Sequence, residues 1–127
     1  MITIKNYAGL EYVSISTKKK SIPVDILIDI ERDIAKHIVG SRPLRGKEIL
    51  FLRKQLKLSC AKLSLALRGA FDASTISRWE SSKEERLAPS NEMLLRVFFA
   101  QKFEVELRAE YDDLLPRDNN EEFNLAA

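Results

Sequence analysis

The stretch from Leu52 to Glu80 constrains the fold most, because it holds the end of one helix, a complete second helix and a third, each marked off by its own capping residue. Ile49, Leu52 and Leu56 keep spacings of three and four, which predicts a helix over Leu44 to Leu56 with Arg45, Lys47, Arg53 and Lys54 on its remaining surface. Ser59 follows at once. Its hydroxyl can accept from an otherwise unpaired amide, so a second helix is expected from Cys60 to about Leu67. Gly69 marks a turn, and Asp72 is an N-cap for a third helix from Ala73 to about Glu80, with Ile76 and Trp79 facing inward.

Charge is distributed unevenly around these helices. Residues 42 to 86 carry eleven Lys/Arg against five Asp/Glu, a net of +6 in a chain whose total is only +2. Residues 104 to 122 hold eight acidic and two basic groups, a net of −6, which would repel a phosphate backbone and is expected to face away from one.

The flanking segments add a frame. Ile2-Thr3-Ile4 and Glu11 to Ser16 are β-capable runs on either side of Asn6-Tyr7-Ala8-Gly9, which predicts a hairpin; a two-stranded hairpin needs a partner surface to be stable. Lys18-Lys19-Lys20 lies in a polar linker. Pro23 opens a helix whose Val24, Leu27, Ile30, Ile34 and Ile38 mark one apolar face, with Gly40 placed to end it near Val39. Pro89-Ser90 opens a later helix with a core stripe of Met93, Leu94, Val97 and Phe98. A last helix is expected from about Phe103 to Leu115, stopped by Pro116, with residues 117 to 127 as a frayed tail. The divisions are then 1–22 for hairpin and basic linker, 23–41 for a connecting helix, 42–103 for the capped helices and their support, and 104–127 for a C-terminal helix and acidic tail.

Several function classes find no support. No eighteen-residue apolar run is present for a membrane span, and no signal-peptide layout is visible, so the cytoplasm is the expected compartment. One cysteine, Cys60, cannot build a disulfide framework or a zinc site of cysteine pairs. With one histidine, His37, no glycine-rich phosphate loop and no paired carboxylates in an apolar setting, no catalytic activity and no cofactor is expected. His37 reads as a surface or partly packed residue, and Cys60 as an inert small one.

Double-stranded DNA is the partner these residue types fit. A helix entering the major groove must be slender at its leading end and must carry hydrogen-bonding groups there to read base edges. Ala73, Ser74 and Thr75 provide that lead. Arg78, one turn on, can reach guanine O6 and N7 or a phosphate, and Ser77 shares its face. Ser59, Lys62 and the amides beginning the second helix are placed to hold phosphates, with Lys83 as a further contact.

These residues, from about Leu44 to Ala100, resemble the Cro and phage-repressor type of helix-turn-helix, the XRE family. That resemblance implies an ion pair between Arg53, late in its first helix, and Glu80, ending its third, which clamps the reading helix to its support, with Trp79 as the core aromatic. Tyr7-Ala8-Gly9-Leu10-Glu11-Tyr12-Val13 and the run from Arg42 to Arg53 further resemble regulators related to the MqsA antitoxin, which implies a small N-terminal β element, a helical dimer interface, autoregulation and a toxin protein as partner. The zinc-binding cysteine pairs of that antitoxin have no counterpart here. Cys60 stands where the XRE family usually has a phosphate-contacting Gln, and the turn between Leu65 and Phe71 is about two residues longer than usual.

The expectation is thus a mainly α protein: a five-helix-type helix-turn-helix DNA-binding domain with an N-terminal helix and a small N-terminal β-hairpin. Its expected function is a sequence-specific transcriptional regulator, a repressor or autoregulating antitoxin. One reading helix makes a small footprint, so a homodimer on a palindromic operator is expected, joined through residues 90–115 or through the hairpin. The alternative is an interaction adaptor or antitoxin whose main role is holding a partner protein.

Overall fold

The computed structural model describes all residues from Met1 to Ala127. Two strands open it, β1 (Ile2–Lys5) and β2 (Val13–Thr17), paired antiparallel with Ile4 opposite Ile15. Their connection takes a tight path because Asn6, Ala8 and Gly9 all have positive φ. The expected hairpin is therefore present, but it is not alone. A third strand, β3 (Phe123–Ala126), pairs in parallel with β2, Phe123 opposite Val13 and Leu125 opposite Ile15. This corrects the expectation of a frayed tail: the partner surface that the hairpin needs includes the chain's own C-terminus.

Five helices of seven residues or more follow the hairpin: α1 (Val24–Ser41), α2 (Gly46–Gln55), α3 (Cys60–Ala66), α4 (Ala73–Ser81) and α5 (Pro89–Phe103). α1 runs past Gly40, because what ends it is Pro43, which holds Arg42 in extended backbone. Ser59 and Asp72 cap α3 and α4 as expected, accepting from the Lys62 and Thr75 amides at 3.1 and 2.8 Å. Leu10, Ile15, Ile34, Ile38, Leu52, Leu63, Ile76, Leu95 and Phe99 are fully buried in one cluster that joins the sheet to α1 through α5. No helix is long and apolar enough to cross a membrane.

Two expectations fail in the C-terminal third. The buried face of α5 carries Glu92, Leu95, Arg96, Phe99 and Ala100, whereas Leu94 and Val97 stay 47% and 42% exposed. The expected stripe of Met93, Leu94, Val97 and Phe98 lies one position out of phase with this face, which includes two charged residues, Glu92 and Arg96. In the fold they neutralise each other at 3.0 Å, and Arg96 also donates to the carbonyls of Val39 and Arg42 at the end of α1 and shares that of Ile38 with the Arg42 amide. Arg86 reaches Glu92 from the other side at 2.7 Å, so the buried carboxylate is fully partnered.

The expected helix over 103–115 is also absent. Glu104 turns left-handed, the Val105 amide returns to the Ala100 carbonyl, and α5 closes there. Residues 104 to 108 then alternate between exposed and half-buried, the period of extended chain, before one short turn, α6 (Tyr111–Leu114).

Candidate nucleic-acid interface

α2, α3 and α4 form the frame on which the expected DNA-contacting residues sit. α2 ends at Gln55, where Lys57 adopts φ 56° and the Leu58 amide returns to the Arg53 carbonyl. That turn delivers Ser59 directly to the start of α3. The connection from α3 to α4 is wider. Arg68 and Gly69 are both left-handed, and the Ser64 hydroxyl donates to the Phe71 carbonyl at 2.6 Å, tying the turn back onto α3. Phe71 meets the Trp79 ring edge-to-face at 4.8 Å between centroids, so the long turn packs onto α4.

The contact between Arg53 and Glu80 is bidentate. Nε and Nη2 donate to the two carboxylate oxygens at 2.6 and 2.7 Å, while Nη1 donates to the Leu58 carbonyl at 2.8 Å. One guanidinium therefore holds the C-terminal end of α4 and the loop before α3 at once. The Glu80 hydrogen bonds hold the Arg53 pKa above its ordinary range, even against partial burial. A second junction lies at the opposite end of α2. The Gly46 and Lys47 amides donate to the Glu85 and Lys83 carbonyls, and a Cβ on Gly46 would fall 1.9 Å from the Trp79 carbonyl oxygen. Only glycine permits this approach. The one sequence signal for this contact is a glycine within the helix expected over Leu44 to Leu56, where glycine is costly unless something needs its lack of a side chain.

With α4 held at both junctions, its outer face is set. Ser74, Ser77, Arg78 and Ser81 are exposed, Ala73 and Thr75 are half-exposed, and Ile76 and Glu80 are buried, with Trp79 partly so. In the structure Ser74 donates to Asp72 at 2.8 Å, and Arg78 lies back along the helix to donate to Thr75 at 3.1 Å. Asp72 is a permanent carboxylate: hydrogen bonds from the Thr75 backbone, then from the Thr75 and Ser74 side chains, hold its pKa down at about 2. Ser59, Lys62 and Lys83 are exposed as well.

Pairing sorts the eleven basic residues between 42 and 86. Arg42 is buried, and Arg45, Lys47, Arg53 and Arg86 are engaged by Glu11, Glu48, Glu80, Glu84 and Glu92. Lys47 lies between Glu11 and Glu84 and is therefore not free. The other six, Lys54, Lys57, Lys62, Arg68, Arg78 and Lys83, are exposed and in no ion pair. Lys54, Lys57 and Arg68 were not among the expected contacts; an excess of basic residues over nearby carboxylates was the only sequence signal for them.

The acidic segment has a structural role in its own attachment. Arg42, stacked 3.8 Å over the Tyr12 ring, donates to the carbonyls of Asn119 and Glu121. His37 lies flat on Phe123 with ring centroids 4.0 Å apart and accepts from Arg42 Nε at 3.2 Å. His37 is thus half-buried and anchors β3. No protein-family model, curated protein or solved structure matches this chain.

Proposed function

We propose that this protein is a sequence-specific DNA-binding transcriptional regulator, with α3 and α4 acting as a helix-turn-helix and α4 reading the major groove. The observation that carries this reading is the outer face of α4, small and hydroxyl-bearing at its leading end with Arg78 a turn behind, fixed by the bidentate Arg53–Glu80 contact. Ala73, Ser74, Thr75, Ser77 and Arg78 read bases, while Ser59, Lys62 and Lys83 hold phosphates. Six unpaired cations on the surrounding surface supply sequence-independent attraction to the backbone. The Asp72 carboxylate repels phosphate, so the leading end of α4 meets base edges, where a carboxylate accepts from cytosine N4.

A homodimer on a palindromic site, acting as a repressor, completes the proposal. The exposed Leu94 and Val97 on α5 offer an apolar surface for pairing, as Ile2 and Ile4 on the edge strand β1 do elsewhere. The same exposed pair also favours a second reading, an adaptor or antitoxin that holds a partner protein such as a toxin. Selection of duplexes from a random pool followed by binding assays separates the two. Arg78→Ala is expected to cost about 1–3 kcal/mol on the selected site and much less on random DNA. An absence of salt-dependent DNA binding refutes the regulator reading.

A further inference from the structure

A groove of about 700 Å³ lies between the Tyr7–Gly9 turn and α2 and is lined on one side by the loop after α4. Its volume is that of a small-molecule site. Leu50 and Phe51 supply an apolar floor, and the backbone of Ala8 and Gly9 forms the rim. Three lysines line it. Lys47 is neutralised by Glu11 and Glu84, whereas Lys54 on α2 and Lys83 in the loop have no carboxylate partner. Of the acids in the lining, Glu84 is held by Arg45 and Lys47, whereas Glu31 accepts from Tyr7 Oη at 2.6 Å and from Gln55 at 2.7 Å, neutral donors that orient it and leave its charge. The groove therefore presents two ammonium groups in no ion pair, carried by two different elements, against one unpaired carboxylate, so cationic charge is in excess beside the apolar Leu50 and Phe51.

We propose that this groove binds a small organic phosphate, a phosphate monoester with an apolar body. The dianion is held between Lys54 and Lys83 by charge-assisted hydrogen bonds, and the body lies on Leu50 and Phe51. An uncharged ligand leaves the two lysines unused, and a bare inorganic ion leaves the floor unused. Ligand binding does not depend on the DNA-binding reading, although Lys83 serves both: an occupant of the groove withdraws it from the DNA backbone.

The test is isothermal titration of the full chain with phenyl phosphate, against phenol and inorganic phosphate at matched ionic strength. Saturable one-to-one binding is expected for phenyl phosphate, with inorganic phosphate and phenol each weaker by roughly tenfold or more. Lys54→Ala with Lys83→Ala is expected to weaken phenyl phosphate by roughly tenfold or more. Lys57→Ala with Lys62→Ala removes the same charge outside the groove and is expected to leave binding within about twofold. All four positions are exposed, so the variants keep the fold, which circular dichroism checks. Equal weakening by the two double variants, or no saturable binding of phenyl phosphate, overturns the proposal. So does a Lys54/Lys83 variant that loses affinity for DNA alone, which would place the groove within the DNA footprint.

Discussion

Removing Glu80 tests the physical basis of the site most directly. In the intact protein its carboxylate is 9% exposed and takes two hydrogen bonds from Arg53, whose side chain is 14% exposed. Glu80→Ala leaves the guanidinium with one protein acceptor, the Leu58 carbonyl, in a position that water reaches only at the rim. Breaking a buried pair by deleting one partner costs about 3–5 kcal/mol. The surviving Leu58 bond and the residual exposure of Arg53 put this case at the lower end, about 3 kcal/mol. At about 4 °C per kcal/mol for a domain of this size, the melting temperature should fall by about 12 °C.

The double variant Arg53→Met with Glu80→Met should recover most of that loss, since a buried ion pair exchanged for apolar groups of similar volume is often neutral. Thermal and denaturant unfolding of the single and double variants gives the coupling energy directly. If Glu80→Ala costs less than about 1 kcal/mol, or the two single effects add without coupling, the contact does not hold α4 in place. Binding to the selected DNA, measured well below the melting temperature, should weaken in Glu80→Ala more than its stability loss explains.

Two further outcomes follow from the geometry. Gly46→Ala places a Cβ 1.9 Å from the Trp79 carbonyl oxygen and 2.7 Å from that of Ser82, both backbone atoms, so α2 must withdraw from α4; a loss of about 3 kcal/mol or more in denaturant unfolding is expected, and a loss below about 1 kcal/mol contradicts the packing. His37 is held below its ordinary pKa of 6.5, first by burial and then by the Arg42 charge, so the unfolded chain takes up the proton more readily than the folded one. Its contribution to stability is therefore complete above about pH 6.5 and is lost as pH falls through the lower folded value. The stability advantage of the wild type over His37→Gln should shrink between pH 7.5 and 5, with faster amide exchange at Phe123, whose amide donates to Tyr12; a difference that does not vary with pH refutes this.

What the sequence determined by itself was local. Ser59 and Asp72 cap their helices by bonds to residues three positions on, and the periodicity of α1 is a property of one segment. Such interactions act within a turn of helix, so residue order alone specifies them. The outer face of α4 followed for the same reason, once Ile76 and Trp79 were assigned inward.

The tertiary structure decided whatever depended on a distant partner. Glu92 and Arg96 are buried because Arg86, the end of α1 and the Leu114 carbonyl are there to receive them, and this rotated α5 away from its expected stripe. Phe103, Val105 and Leu107 fall two apart, a strand-like spacing that was open to reading, but the left-handed Glu104 settled the end of α5. β3 shows the same alternation in Phe123-Asn124-Leu125, yet four residues become a strand only when a ladder edge awaits them. Which cations remain free is likewise a tertiary property, because a lysine's availability depends on whether a carboxylate from another element has reached it first.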